Sequence, residues 1–257
     1  MTITLEELQL AARNHGMPLE ALRYPTTPIG LHYLLHHFDL PESPADWRLE
    51  VGGRVRQSLS LSLAELHARS PVRMQVTMEC AGNGRAHLDP RPPGQPWLAE
   101  AVGTGAWGGT LLRELLAEAV PLDGAVDVVF TGLDRGIDGG VEHAYERSLT
   151  VTEALGGDAL LAYELNGEPL PHQHGSPLRL VVPGWYGMAS VKWLGAIEAI
   201  ATPYDGYQNT VAYRYSQSPA DSRRTADREA RCARATSRSP CRTSQARPGE
   251  AAHRAAA

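Results

Sequence analysis

The 257-residue sequence predicts an α+β fold rich in strands. Strand-like segments outnumber helical ones, and the two kinds do not alternate in the regular rhythm of a doubly wound sheet. The 25 Gly and 19 Pro break the chain into short segments, in keeping with strands and turns rather than long helices. Hydrophobic residues make up 42% and charged residues 21%, the balance of a globular domain with a sizeable core.

Taken in order, residues 4–14 (TLEELQLAARN) place Leu5, Leu8 and Leu10 near helical spacing ahead of Gly16, which predicts a leader helix within residues 1–20. Residues 47–52 (WRLEVG) alternate as a strand does. In residues 62–70 (SLAELHARS) Ser62 stands three residues before Glu65, a capping-box start for a helix. Residues 72–79 (VRMQVTME) alternate again and run directly into Cys80. An amphipathic helix is expected over 110–119, strands over 125–130, 158–165 and 178–183, and a last regular segment over 191–201. No internal repeat is present.

The expected domain is 21–217. Residues 218–257 contain no Val, Ile, Leu, Met, Phe, Tyr or Trp, and nine Arg against four acids. Such a segment has too little apolar surface to offset its ordering entropy and is expected to be disordered. Its composition fits a reading-frame change in a GC-rich gene; the competing reading is a functional basic tail that grips an anionic partner. Removing it leaves an acidic body, which argues against nucleic acid as a partner. Cys80 is the one body cysteine, with Cys232 and Cys241 in the tail, so no disulfide framework is expected in the body. No run of about 18 apolar residues predicts a membrane span. The acidic start lacks the features of a secretion signal, so a cytoplasmic location is expected, or a periplasmic one if an export leader is missing.

Three segments carry chemistry. In Glu79-Cys80-Ala81-Gly82-Asn83-Gly84-Arg85 a strand ends at a thiol, followed by residues that tolerate positive φ and admit a bulky ligand close to the backbone. Thiolate is a soft ligand suited to a redox metal; by itself the segment equally fits a buried cysteine beside a turn. In residues 171–179 (PHQHGSPLR), His172 and His174 would share a face if the segment were a strand, half of a zinc site. No HExxH or CxxC completes it. Alternatively an imidazole and Arg179, a cation set among apolar residues, would hold an anion such as phosphate. In residues 184–194 (GWYGMASVKWL), Lys192 is the only lysine against 23 arginines. It reads either as a required compact charge or as chance survival at the surface. Backbone NH groups at Ser190 to Lys192 are placed to form an anion nest.

Four segments, CAGNGR at 80–85, GTGAWGG at 103–109, LLAYELNGEPLPHQHGSPLRLVVPG at 160–184 and SVKWLG at 190–195, resemble the sulfite oxidase family in order and spacing. The resemblance runs from about Tyr24 to Gln217. It implies a molybdopterin-binding oxidoreductase domain whose cofactor is a molybdenum ion on a pterin dithiolene, with Cys80 as the protein's ligand to the metal. It implies that Tyr33, Leu34, Leu35, His36 and His37 lie along the pterin, that Asp134 contacts it, and that His174 and Arg179 hold it and its phosphate. Ser190, Val191 and Lys192 match the last cofactor-binding triplet. Trp97, Arg85 and Tyr213 match residues of the substrate pocket. The substrate would be a small oxyanion or sulfur compound, and electrons would pass to an external acceptor such as a c-type cytochrome.

The chain also departs from the family. Leu35 and Gly84 stand where sulfite-oxidising members carry arginine. The C-terminal immunoglobulin-like dimerisation domain is absent from the sequence, and with it the expectation of a stable dimer. A truncated or non-catalytic cofactor-binding homologue, or a reductase of S- or N-oxides, therefore stand as alternatives to an oxidase.

Overall fold

The computed structural model describes residues 10, 12–92, 94–215 and 225–226. Most of the expected leader helix lies outside these residues, although Leu10, Ala12 and Arg13 are helical. Of the tail, only 225–226 are described, and they pair antiparallel with 214–215.

Ten strands build two sheets. The first contains β1 (Arg48–Gly53), β2 (Leu59–Ser62), β5 (Asp127–Asp138), β6 (Val141–Thr150) and β10 (Leu194–Ile200). Its order is β2-β1-β10-β5-β6, with β1 and β10 parallel and the other neighbours antiparallel. The second contains β3 (Val72–Glu79), β4 (Val102–Leu111), β7 (Leu160–Leu165) and β8 (Glu168–Pro169), with β9 (Arg179–Val181) added to β7. Three short helices, α1 (Leu63–His67), α2 (Leu112–Ala119) and α3 (Val151–Gly156), follow strands β2, β4 and β6. The fold is thus strand-rich α+β, as the sequence predicts.

Local chemistry sets the helix starts. Ser62 accepts from the Glu65 N–H while the Glu65 carboxylate accepts from the Ser62 N–H, the reciprocal cap read from the sequence. Thr150 and Glu153 build the same device for α3, at a spacing the sequence reading passed over. Helix α2 begins two residues later than expected because Thr110 and Leu111 pair with Leu161 and Leu160 as the end of β4. From there Leu112, Leu115, Leu116 and Ala119 form a fully buried stripe. Each leucine is worth about 2 kcal/mol of burial.

The expected strands at 47–52, 125–130, 158–165, 178–183 and the last segment at 191–201 all form, with shifted ends. Two long strands went unread. In β4 the glycines at 103, 105, 108 and 109 obscure the pattern. Gly103 is needed because a Cβ there would sit 2.6 Å from the His32 ring. In β6 an inward arginine, Arg147, interrupts the apolar alternation of Tyr145 and Leu149.

One core fills the space among the first sheet and the helices, around Leu49, Phe130, Leu112 and Leu116. A smaller one lies on the second sheet around Trp107, Leu160 and Leu165, and it includes Cys80.

Candidate active site

Strand β3 delivers Cys80. The thiol leaves the sheet where the Cys80 N–H donates to the Ala101 carbonyl at 2.9 Å, and the chain then folds back as the Asn83 N–H donates to the Cys80 carbonyl at 2.9 Å. Asn83 fixes the turn: its amide donates to Glu79 at 3.0 Å and its side-chain oxygen accepts from the Ala101 N–H at 3.1 Å. Gly84, at φ 81°, supplies the left-handed step. The Gly82 N–H donates to Cys80 Sγ at 3.4 Å. Burial pushes the Cys80 thiol up; that N–H and the nearby Arg85 charge pull it part of the way back.

Two cavities meet at this sulfur. The inner one, narrow at about 50 Å³, is lined by residues of both sheets: Met78 and Arg179 from one, Asp134 and Tyr145 from the other. Tyr33, His174, Ser190 and Lys192 complete its polar wall. The outer one, wider at about 490 Å³, is lined by Arg13, Arg85, Gln95, Trp97 and Tyr207. Leu35, His37, Cys80 and Tyr213 line both.

Arg179 is the inner cavity's main electrostatic feature. It is 4% exposed, and no carboxylate pairs with it among the described residues. Its guanidinium donates to the His174 carbonyl at 2.9 Å and the Ser190 carbonyl at 3.1 Å, and lies 4.8 Å from the Trp107 ring centre. Its Nε has no partner. Burial lowers its pKa to about 10, still charged at neutral pH. A buried cation held by two carbonyls, the Met78 sulfur at 3.5 Å and a ring face, with no carboxylate, is poised for an anion.

Lys192 adds a second charge. Its ammonium donates to the Leu35 carbonyl at 2.5 Å and sits 4.9 Å from the Trp193 ring centre. Burial and the Arg179 charge lower its pKa, while Asp134 supports its charged form. Asp134 shifts upward through burial, and its Oδ1 is buried without a partner. It reaches the cavity because β5 bulges between Thr131 and Arg135, breaking the alternation. Gly175 (φ 108°) brings the His174 turn onto Lys192, since a Cβ there would lie 2.8 Å from Lys192 Cβ. Gly175→Ala is therefore expected to cost about 1–3 kcal/mol of strain, read as a lower urea midpoint.

The structure gathers most of the residues implied by the sequence. Tyr33, Leu34, Leu35, His37, Asp134, His174, Ser190 and Lys192 line the inner cavity beside Arg179 and Cys80. Arg85 and Trp97 line the outer one alone. Two implied residues turn away. His36 is buried against Trp193, its Nε2 2.9 Å from the Gln173 carbonyl. Val191 is fully buried in the large core. His172 and His174 do not form half of a metal site. They lie on a short 3-10 turn, not a strand, which leaves His172 exposed and His174 buried. Among the described residues no three His, Cys, Asp or Glu side chains are grouped to hold a metal.

Residues the sequence reading missed are His32, Met78, Tyr145 and Met188 on the inner wall. Tyr145 had a signal, since it shares the inward face of β6 with Leu149.

Residues 37–208 match the family described as the oxidoreductase molybdopterin binding domain. The chain is 42% identical over 178 residues to sulfite oxidase of Gallus gallus, covering 65% of this chain and 38% of that relative. It is 38% identical over 191 residues to the mitochondrial sulfite oxidase of Homo sapiens, covering 71% and 34%. With an NADH nitrate reductase of Nicotiana tabacum identity is 35% over 205 residues, covering 76% and 23%. The chain thus spans well under half the length of these relatives. Among solved structures it superposes on the sulfane dehydrogenase SoxCD from Paracoccus pantotrophus with a TM-score of 0.70 at 27% identity, covering 82% of this chain and 52% of that one. No helix among the described residues is long and apolar enough to cross a membrane.

Proposed function

Because the chain belongs to the family of oxidoreductase molybdopterin-binding domains, we propose that it is a sulfite-oxidase-type oxidoreductase that holds a molybdenum–pterin cofactor in the inner cavity, with Cys80 as the one protein ligand to the metal. The observation that carries this reading is the lone thiol at the meeting point of two cavities, one of them walled by a buried cation without an acid partner. The donor set fits. One thiolate, with no cluster of other ligands among the described residues, suits a metal whose remaining ligands come from an organic group. Arg179 and Lys192, with the unpartnered Arg179 Nε, suit that group's phosphate. Asp134 Oδ1, lacking a partner, suits a pterin N–H.

When bound, the cofactor supplies oxygen-atom transfer coupled to two-electron chemistry. The chain's residues hold and orient the reactants. Cys80 would hold the metal as its thiolate, the proton being lost from Sγ. Gly82 N–H steadies the sulfur. On the outer side, Arg85 and the Tyr213 hydroxyl face the position of a bound oxyanion, and Trp97 excludes water from one wall. Such chemistry would require an external electron acceptor, a c-type cytochrome being the proposed class.

Molybdenum and pterin analysis of the purified chain tests the reading: about one equivalent of each is expected, and a chain that takes up neither on reconstitution overturns it. A second reading concerns direction. Leu35 lines the outer cavity where sulfite-oxidising members carry arginine, which leaves Arg13 and Arg85 as its cations and favours a substrate less charged than sulfite. Sulfite oxidation with ferricyanide, set against methionine sulfoxide reduction with a reduced viologen, separates the two.

A further inference from the structure

We propose that Arg147, which lines neither cavity, is the positioning residue for Tyr213. The inference rests on the reading that the outer cavity takes the substrate. Arg147 lies on the inward face of β6 and is 4% exposed. Burying a guanidinium is costly unless its donors are met and its charge is answered. Among the described residues no carboxylate pairs with it, and its Nε is unpartnered. Its contacts instead converge on one short segment.

That segment is the π-helical turn Gln208–Ala212, which leads straight into Tyr213. Single π turns are uncommon and tend to mark functional sites. The Gln208 carbonyl accepts the Tyr213 N–H at 3.3 Å, closing the turn, and the same oxygen accepts Arg147 Nη1 at 2.6 Å. The guanidinium carbon also lies 5.5 Å from the centre of the Tyr213 ring. Arg147 therefore holds Tyr213 twice, through the carbonyl that fixes its backbone and through the face of its ring. The result is that the Tyr213 hydroxyl meets His37 Nε2 at 2.8 Å, on the wall shared by both cavities beside Cys80. An aliphatic side chain at this position would pack without the desolvation cost of a guanidinium.

Two measurements on the full chain test this. In the cofactor-free protein with 13C-labelled tyrosine rings, the resonance missing from Tyr213→Phe is expected to shift and broaden in Arg147→Met, while the Tyr163 signal stays in place. Arg147→Lys, which keeps the charge, is expected to restore it in part. In the loaded protein, sulfite and ferricyanide serve as probe pair. Arg147→Met is expected to lower kcat/KM about tenfold in the native background but less than about twofold on top of Tyr213→Phe, because residues acting as one unit are not additive. Equal losses in both backgrounds, or an unmoved Tyr213 resonance in a folded Arg147→Met or Arg147→Lys protein, overturn the proposal. If the chain takes no cofactor, the functional reading fails and the ring resonance alone decides the role of Arg147.

Discussion

Cys80→Ser is expected to abolish turnover while leaving the fold and the inner cavity intact. Serine is nearly isosteric, and the backbone bonds that shape the turn, Cys80 N–H to Ala101 and Asn83 N–H to Cys80, do not involve the sulfur. What changes is the donor. A hydroxyl is hard and weakly acidic where a soft thiolate is needed. Losing even an outer partner of a metal ligand typically costs 10- to 100-fold, so loss of the ligand itself is expected to exceed about a hundredfold in kcat. Pterin is expected to remain, since Arg179, Lys192 and Asp134 are untouched. The check is parallel pterin fluorescence, metal content and turnover. A Cys80→Ser protein with native activity would remove the sulfur from the chemistry altogether.

Acid is expected to destabilise the cofactor-free chain steeply. His32, His36 and His174 are all buried, and burial lowers their pKa values to about 4, about 3 and about 2. In the unfolded chain each titrates near its ordinary value of 6.5. Below that point the unfolded state takes up protons that the folded state refuses, so stability is present above pH 6.5 and is lost as pH falls toward 4. Asp134 works the other way, because burial raises its pKa and its protonated form favours the fold at low pH. His37 is lowered to about 3 in the same way, so one carboxyl opposes four imidazoles. The net loss between pH 6.5 and 5 is on the order of 5 kcal/mol, a large part of a domain's stability. Urea unfolding at both pH values measures it. A midpoint that holds steady or rises on acidification would mean that these rings are solvated.

How much of this was legible beforehand differs by element. Strand β3 was read to the residue because Val76 and Met78 alternate cleanly with polar neighbours and no function interrupts them. The α1 cap was legible because its two bonds depend on spacing alone. Strand β6 was not, since Arg147 occupies an inward position that hydropathy assigns to an apolar residue. The site splits in the same way. The thiol after β3 and the cation at Arg179 stand out as residue types in unusual company. The direction of a side chain does not: His36 and His37 are neighbours, yet one packs on Trp193 and the other faces both cavities. Asp134 depends on a bulge set by pairing between β5 and two other strands, which no local window contains.

The double wall at Cys80 separates two evolutionary problems. One side of the sulfur is framed by strands and by turns tied to both sheets. The other is framed largely by loop residues, Gly82, Arg85, Gly94, Gln95 and Trp97, and by the hairpin tip at 137–140. Drift in those loops can retune which molecule is admitted without disturbing what waits behind the thiol.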